Sequence, residues 1–308
     1  MIFITGHRGL VGSAIRRECK RQNIPYSYSN DVDYTDENAT YNLFKKNRPK
    51  KVIFASAKVG GILANNNNKI DFLMDNLLQQ HSIINAAMNS GVYQLLFLGS
   101  TCIYPKEAPQ PLKEEYLLTG SLEPTNEAYA LAKITGIKMC QYINESMGLK
   151  FHSVMPTNLF GPRDNYHPEN SHVIPGLIQR FHEAVCSGES SVTVWGSGEP
   201  RREFMYVDHF ARAALHVMDL DYPPNLVNIG TGTDISIKEL VKIISDITGY
   251  TGEIVFDKQM PDGTMVKRTD ISLLKSLGWD HQYDLKGDIY STYRSYVEEL
   301  ENGTVRCK

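Results

Sequence analysis

The chain has 308 residues, enough for one large domain or two of ordinary size around a substantial core. Apolar residues make up 42% and charged residues 22%, the balance of a soluble globular protein rather than a disordered one. The net charge of -3 offers no basic field for nucleic acid or an anionic membrane, and no apolar run approaches the roughly 20 residues of a spanning helix.

From the N-terminus, MIFIT reads straight into a strand with no signal peptide visible, and LVGSAIRRECKRQ reads as a helix. Between them ITGHRGLVGSAI places Gly6, Gly9 and Gly12 in a GxxGxxG turn. Glycines there let the backbone approach a pyrophosphate, whose charge sits at the helix N-terminus. Arg8 inside this loop points to a 2′-phosphate and so to NADP(H). The expected second strand, IPYSYSNDVD, has no arginine, and Asp31 or Asp33 would instead suit a free ribose hydroxyl. The weight is placed on NADP(H).

KVIFASA reads as a buried strand, IDFLMDNLLQQHSIINAAMNSG as a long helix closed by Gly91, and YQLLFLGS as the next strand. A helix follows with Thr125 as its cap and Gly148 as its stop, then a strand KFHSVMPTNLFG. This alternation predicts an α/β fold, a Rossmann-type parallel sheet with helices on both faces. After about Tyr166 the rhythm gives way to Pro, Gly and charge. The expected division is a cofactor-binding domain over 1–159, with REFMYVDHFARAALHVM and LVNIGTG returning to it near 203–231. A smaller, mixed C-terminal substrate lobe is built from 160–202 and 232–308. The five cysteines, Cys19, Cys102, Cys140, Cys186 and Cys307, are odd in number and lack a CxxC pair. They speak against a zinc site or a disulfide framework and fit a cytoplasmic protein.

Tyr129 and Lys133 form a YxxxK pair, a spacing that sets both side chains on one helix face. Tyr41 and Lys45 match it too, so position must decide: only Tyr129–Lys133 follows the strand that ends at Ser100 by one loop and one turn. Ligands of open parallel sheets sit beyond the carboxyl ends of strands, where Ser100, Tyr129 and Lys133 can meet. Reducing a ketone needs a proton donor at its oxygen, and a tyrosine beside an ammonium has its pKa pulled towards working pH. A serine hydroxyl can hold the same oxygen. Cys102, two places after Ser100, would by itself be read as a small core filler. Arg180, Trp195, Arg201 and Arg202 offer the cations a diphosphate needs and an aromatic face for a ring.

The stretches GHRGLVGSAI, AKVGGILAN, LFLGSTCIYP, EAYALAKITGIKMC, PTNLFGPRDNYHPENSHVIP, WGSGEPRREFMYVD, NIGTG and PDGT cover most of the chain. In them the sequence resembles the extended short-chain dehydrogenase/reductases that act on nucleotide sugars, in the branch that epimerises and reduces GDP-4-keto sugars. The resemblance implies that Ser100, Tyr129 and Lys133 serve the reduction, while Cys102 and His172 are the acid/base pair for epimerisation. Carbons flanking a C4 ketone are acidified, and a thiol and an imidazole titrate near enough to neutrality to move their protons. It also implies that NADP(H) is held by Gly6, His7, Arg8, Gly9, Leu10, Val11, Gly12, Leu98, Gly99, Lys133, Pro156, Thr157, Asn158, Leu159 and His172. The GDP-sugar falls to Arg180, Trp195, Arg202, Asp262 and Lys267, in a homodimer with no metal, nucleic-acid or membrane partner. One departure stands out: the family commonly reads PDGTxRK, and this chain has PDGTMVKR, with Val266 in the arginine's place. It opens an alternative, a C4-reductase of another GDP-4-keto sugar such as a GDP-6-deoxyheptose, with partial or no epimerisation. A 4,6-dehydratase would want an Asp-Glu pair where the chain has Thr101-Cys102-Ile103, and a non-catalytic nucleotide binder would not keep the whole reacting set.

Overall fold

The computed structural model describes residues 1–168, 170–260 and 262–307. In chain order, β1 (Ile2–Thr5), α1 (Leu10–Arg21), β2 (Tyr26–Ser27), α2 (Glu37–Asn47), β3 (Lys51–Phe54), α3 (Ile62–Asn67) and α4 (Lys69–Asn89) come first. β4 (Gln94–Leu98), α5 (Glu127–Met147), β5 (Lys150–Pro156), β6 (Asn158–Phe160), α6 (Val173–Ser187), β7 (Ser191–Trp195), β8 (Arg201–Arg202) and β9 (Phe204–Tyr206) follow. Then come α7 (Val207–Asp219), β10 (Leu226–Ile229), β11 (Ile235–Ser236), α8 (Ile237–Thr248), β12 (Glu253–Asp257), β13 (Val266–Lys267), α9 (Ser272–Ser276) and α10 (Leu285–Glu301).

Six of the strands make one sheet in the order β10-β5-β4-β3-β1-β2, parallel throughout. Its central strands, IFIT, KVIF and QLLFL, are apolar nearly without interruption because helices cover both faces. On one face Ile4, Ile15, Leu96, Phe210, Ala214 and Ile229 pack with α1 and α7; on the other Phe3, Phe44, Ile83, Phe97, Ile137 and Phe151 pack with α2, α4 and α5. From β1 the chain turns one way to β2 and then crosses back to β3 on the opposite side. The crevice at the carboxyl ends of β1 and β3 is therefore the place where such sheets take ligands.

A third core of Phe160, Tyr166, Phe181, Leu240, Ile244 and Tyr296 gathers α6, α8 and α10 beside the two-stranded pair β7–β12. A small sheet β11-β8-β13 lies with it, while Leu274 of α9 packs back into the core of α1 and α7.

Local expectations differ from the structure in two places. The helix expected to be capped by Thr125 starts at Glu127 from Asn126, and Thr125 Oγ1 reaches Glu123 instead. KFHSVMPTNLFG is two strands: Thr157 breaks the run, its amide donating to the Ile229 carbonyl at 3.1 Å, and β6 leaves to pair with β9. Tyr41 and Lys45 lie on the exposed face of α2, their side chains meeting only as cation over ring at 5.9 Å. Gly148 does end α5, in the left-handed conformation at φ +65.

Candidate functional site

At the switch point the chain turns at Gly6, which has φ +63 and whose missing Cβ would lie 2.6 Å from the Ala55 carbonyl oxygen. Gly12 is held closer still: a Cβ there would run into the Gly6 carbonyl. The Gly9 amide donates to the Gly6 carbonyl at 3.0 Å and Gly9 caps α1, whose first turn carries no acidic side chain and no side-chain cap. Bare amides at a helix N-terminus, reached past glycine, form a cradle for a diphosphate. Leu10 and Val11 open that helix.

Beside the cradle the exposed Arg8 donates to Asn30 Oδ1 at 3.0 Å, and His7 Nε2 donates to the same oxygen at 2.9 Å. The His7 ring stacks on Tyr28 at 4.2 Å, and the Arg16 guanidinium lies 4.4 Å from the Tyr28 centroid. Asp33 is spent on its own turn, accepting from the Thr35 amide at 2.9 Å and hydroxyl at 2.8 Å. Two guanidiniums at this end, with Asp33 engaged elsewhere, fit a 2′-phosphate better than a free ribose. Leu98, Gly99 and Pro156 to Leu159, expected to border the same cofactor, lie at and beyond the carboxyl ends of β4 and β5. Asn158 Nδ2 and Thr157 Oγ1 both donate to the Glu203 carbonyl, at 2.8 and 3.2 Å.

Past β4 the chain folds into a short turn in which Ser100 Oγ accepts from the Cys102 amide at 3.3 Å. Cys102 is 6% exposed. Burial pushes its thiol up, opposed first by the nearby Lys267 ammonium, then by the bond to Ser100 and by Lys133. Tyr129 and Lys133 reach the same spot from α5. Lys133 is buried, its Nζ donating to the Leu98 carbonyl at 2.8 Å and standing 5.6 Å from the Tyr129 ring centroid. Burial draws Lys133 down to about 8 and raises the Tyr129 phenol, with Cys102 adding to the rise. At neutral pH the phenol is therefore a proton donor and the lysine still mostly a cation.

His172 caps α6. The residue is exposed, and desolvation of the imidazole lowers its pKa. Its loop is joined to the Tyr129 side through Gly60 and Gly61. The Gly61 amide donates to the Asn170 carbonyl at 3.1 Å, and a Cβ at Gly61 would lie 3.0 Å from the Ser171 carbonyl oxygen. A Cβ at Gly60 would lie 3.1 Å from the Phe72 ring, and that ring meets Tyr129 edge-on at 6.3 Å. The loop that carries His172 is thus linked to the Tyr129 side through Gly60, Gly61 and the Phe72 ring.

The lobe residues form the outer wall. Arg180 donates to the Thr193 carbonyl at 2.7 Å, and Trp195 ends β7 with 49% of its surface exposed. Arg202 of β8 and Lys267 of β13 are opposite one another in a parallel pairing. Burial lowers both, and Arg202 lowers Lys267 further. Two cations crowded together in a cleft are suited to an anion between them. Asp262 is engaged differently: its carboxylate accepts from the Ser197 amide and hydroxyl, both at 2.7 Å, and braces the turn after Trp195.

Two features lay beyond the sequence reading. Glu203 is fully buried and accepts from the Thr231 and Gly232 amides and from the Thr269 amide and hydroxyl, at 2.5 to 2.8 Å. It ties the end of β8, the end of β10 and the segment after β13 together, and nothing in RREF announces that. The parallel pairing of Lys267 with Arg202 depends on strand register and likewise left no mark in the sequence.

Residues 2–230 match the model of the NAD dependent epimerase/dehydratase family. Among curated proteins the chain is similar to GDP-L-fucose synthase of Escherichia coli K12, 48% identical over 97% of each chain. Among solved structures it is similar to a GDP-L-fucose synthetase from Naegleria fowleri bound to NADP, with TM-score 0.91, 33% identity and coverage of 99% and 94%. It is also similar to a GDP-6-OMe-4-keto-L-xylo-heptose reductase from C. jejuni, with TM-score 0.90, 31% identity and 97% of each chain covered.

Proposed function

The chain belongs to the NAD dependent epimerase/dehydratase family, and from that premise we propose that it converts GDP-4-keto-6-deoxy-D-mannose to GDP-L-fucose. The reaction inverts C3 and C5 and then reduces C4 with NADPH. The observation that supports this reading is the gathering of the Ser100–Cys102 turn, the Tyr129 phenol and the Lys133 ammonium at the end of β4.

The sugar's diphosphate lies between Arg180, Arg202 and Lys267, its base or ribose against Trp195, which leaves the 4-keto sugar over Ser100. Ser100 and Tyr129 hold the C4 oxygen, and their hydrogen bonds strengthen as C3 or C5 gives up a proton and negative charge gathers on that oxygen. Burial leaves Cys102 and His172 both uncharged at rest, so the imidazole accepts the proton and the thiol delivers one to the opposite face. Bound along the glycine cradle, NADPH supplies the hydride for C4. Tyr129 gives its proton to the C4 oxygen in that step, and the Lys133 ammonium stabilises the phenolate left behind.

The molecule acts as a homodimer in the cytoplasm. Ile70, Met74 and Leu78, spaced by four on α4, are exposed, as is Leu131 on the adjoining α5, and a second copy covers this face. All five cysteines are free, as the Cys102 chemistry requires. One feature favours the second reading, a C4-reductase of another GDP-4-keto sugar: Val266, next to Lys267 in β13, stands where the resemblance implies an arginine. Following NADPH consumption with GDP-4-keto-6-deoxymannose and with a GDP-4-keto-heptose, and assigning each product by NMR, separates the two. GDP-L-fucose from the first substrate supports the proposal; turnover confined to the heptose overturns it.

A further inference from the structure

Residues 65–68 are four asparagines in a row, and burial singles out the first. Asn65 is 6% exposed, whereas Asn66, Asn67 and Asn68 lie on the surface. From α3 its Nδ2 donates to the Gly60 carbonyl at 2.7 Å and to the Gly61 carbonyl at 3.0 Å. A second asparagine, Asn76 of α4, is 1% exposed. Its Oδ1 accepts from the Lys58 amide at 3.0 Å, while its Nδ2 donates to the Lys58 carbonyl at 3.1 Å and to the Phe72 carbonyl at 2.7 Å. Asn76 thus uses its oxygen and both of its N–H groups, and it pairs with Lys58 as one peptide group pairs with another. The carbonyl partners decide which arm of each amide is the nitrogen. An aspartate at either position would turn lone pairs towards those carbonyls, and a leucine would leave them without a donor.

The loop held in this way touches both sides of the site. Gly60 lies against the Phe72 ring, which meets Tyr129 edge-on. The Gly61 amide donates to the Asn170 carbonyl at 3.1 Å, and the His172 carbonyl two residues on accepts from the Gly176 amide at 3.0 Å in the first turn of α6. We propose that Asn65 and Asn76 are positioning residues for the epimerisation. They fix the 58–61 loop, and through the Gly61–Asn170 bond they fix where the His172 segment sits relative to the Tyr129 side. Neither amide moves a proton in this role; each acts through the backbone it holds. The role rests on the reading of His172 as an acid/base group.

The first measurement needs no substrate. In ligand-free Asn65→Leu and Asn76→Leu proteins the Gly61 amide, followed by NMR, is expected to exchange with solvent about tenfold faster, roughly the loss of one net hydrogen bond. The His172 imidazole signal, assigned by its absence from the His172→Gln protein, is expected to shift. Asn65→Ser and Asn76→Ser replace any leucine variant whose thermal transition shows that it does not fold. The second measurement is entry of solvent deuterium at C3 and C5 of GDP-4-keto-6-deoxymannose. Its rate should fall about 10- to 100-fold while KM for the sugar nucleotide holds, because Arg180, Arg202 and Lys267 are untouched. Gly61 exchange and the His172 signal both unchanged in the variants that fold, or deuterium entry at the wild-type rate, overturns the proposal. A wild-type protein that admits no deuterium would defeat the proposed reaction instead, and the substrate-free measurements still decide whether the two amides brace the His172 segment.

Discussion

Tyr129 and Lys133 come from one stretch of α5, four residues apart, whereas Cys102 and His172 come from the turn after β4 and from the start of α6. The first set is rigid because a single buried helix holds it against the sheet. The second exists only when the lobe of β8, β13 and α6 is docked over the ends of the parallel strands. On the proposed roles, reduction is thus local to one helix and its strand, and epimerisation draws on residues from distant parts of the chain. Breaking either set while sparing the other is the way to examine this difference.

The largest effect is expected from Tyr129→Phe, which removes the proton donor and should lower NADPH-dependent reduction by about 10² to 10⁴-fold. Solvent deuterium should still enter C3 and C5, seen by NMR of the recovered keto sugar. Cys102→Ser is the mirror experiment: exchange should fall by about 10² to 10⁴-fold while the unepimerised keto sugar is still reduced, measured by the stereochemistry of the product. Equal loss of both activities in both variants would dissolve the distinction between the two sets.

A smaller effect comes from pH. Lys133 is drawn down to about 8, so its ammonium is present below that pH and lost as pH rises through it. The reduction step in single turnover should fall on the alkaline side with a midpoint near 8, approaching about tenfold per unit beyond it. Smaller again is Glu203→Gln, which leaves amides and a hydroxyl of Thr231, Gly232 and Thr269 short of acceptors in a buried place. It should cost roughly 1–3 kcal/mol in thermal or urea unfolding.

The same contrast decides what could be read in advance. Gly6, Gly9 and Gly12 declare themselves because a strand, a tight turn and a helix follow within a dozen residues, and Tyr129–Lys133 because helical periodicity is local. Tyr41–Lys45 shows that the spacing alone is not enough; only the fold tells a surface helix from α5. Cys102 and His172 could be paired only by resemblance, since they are 70 positions apart and no period spans that distance. Lys267 was legible as a cation for the nucleotide but not as Arg202's neighbour. That placement hangs on two-residue strands, β8 and β13, too short to show alternation. The Thr125 cap failed for a related reason: a competing contact to Glu123 shifts the helix start to Glu127.

The account stands most directly on one experiment: full turnover of GDP-4-keto-6-deoxymannose with NADPH in deuterium oxide, the product read by NMR. Deuterium at both C3 and C5 of a GDP-L-fucose product is the predicted result. A reduced product carrying protium at both carbons, with the starting configuration retained, would contradict it.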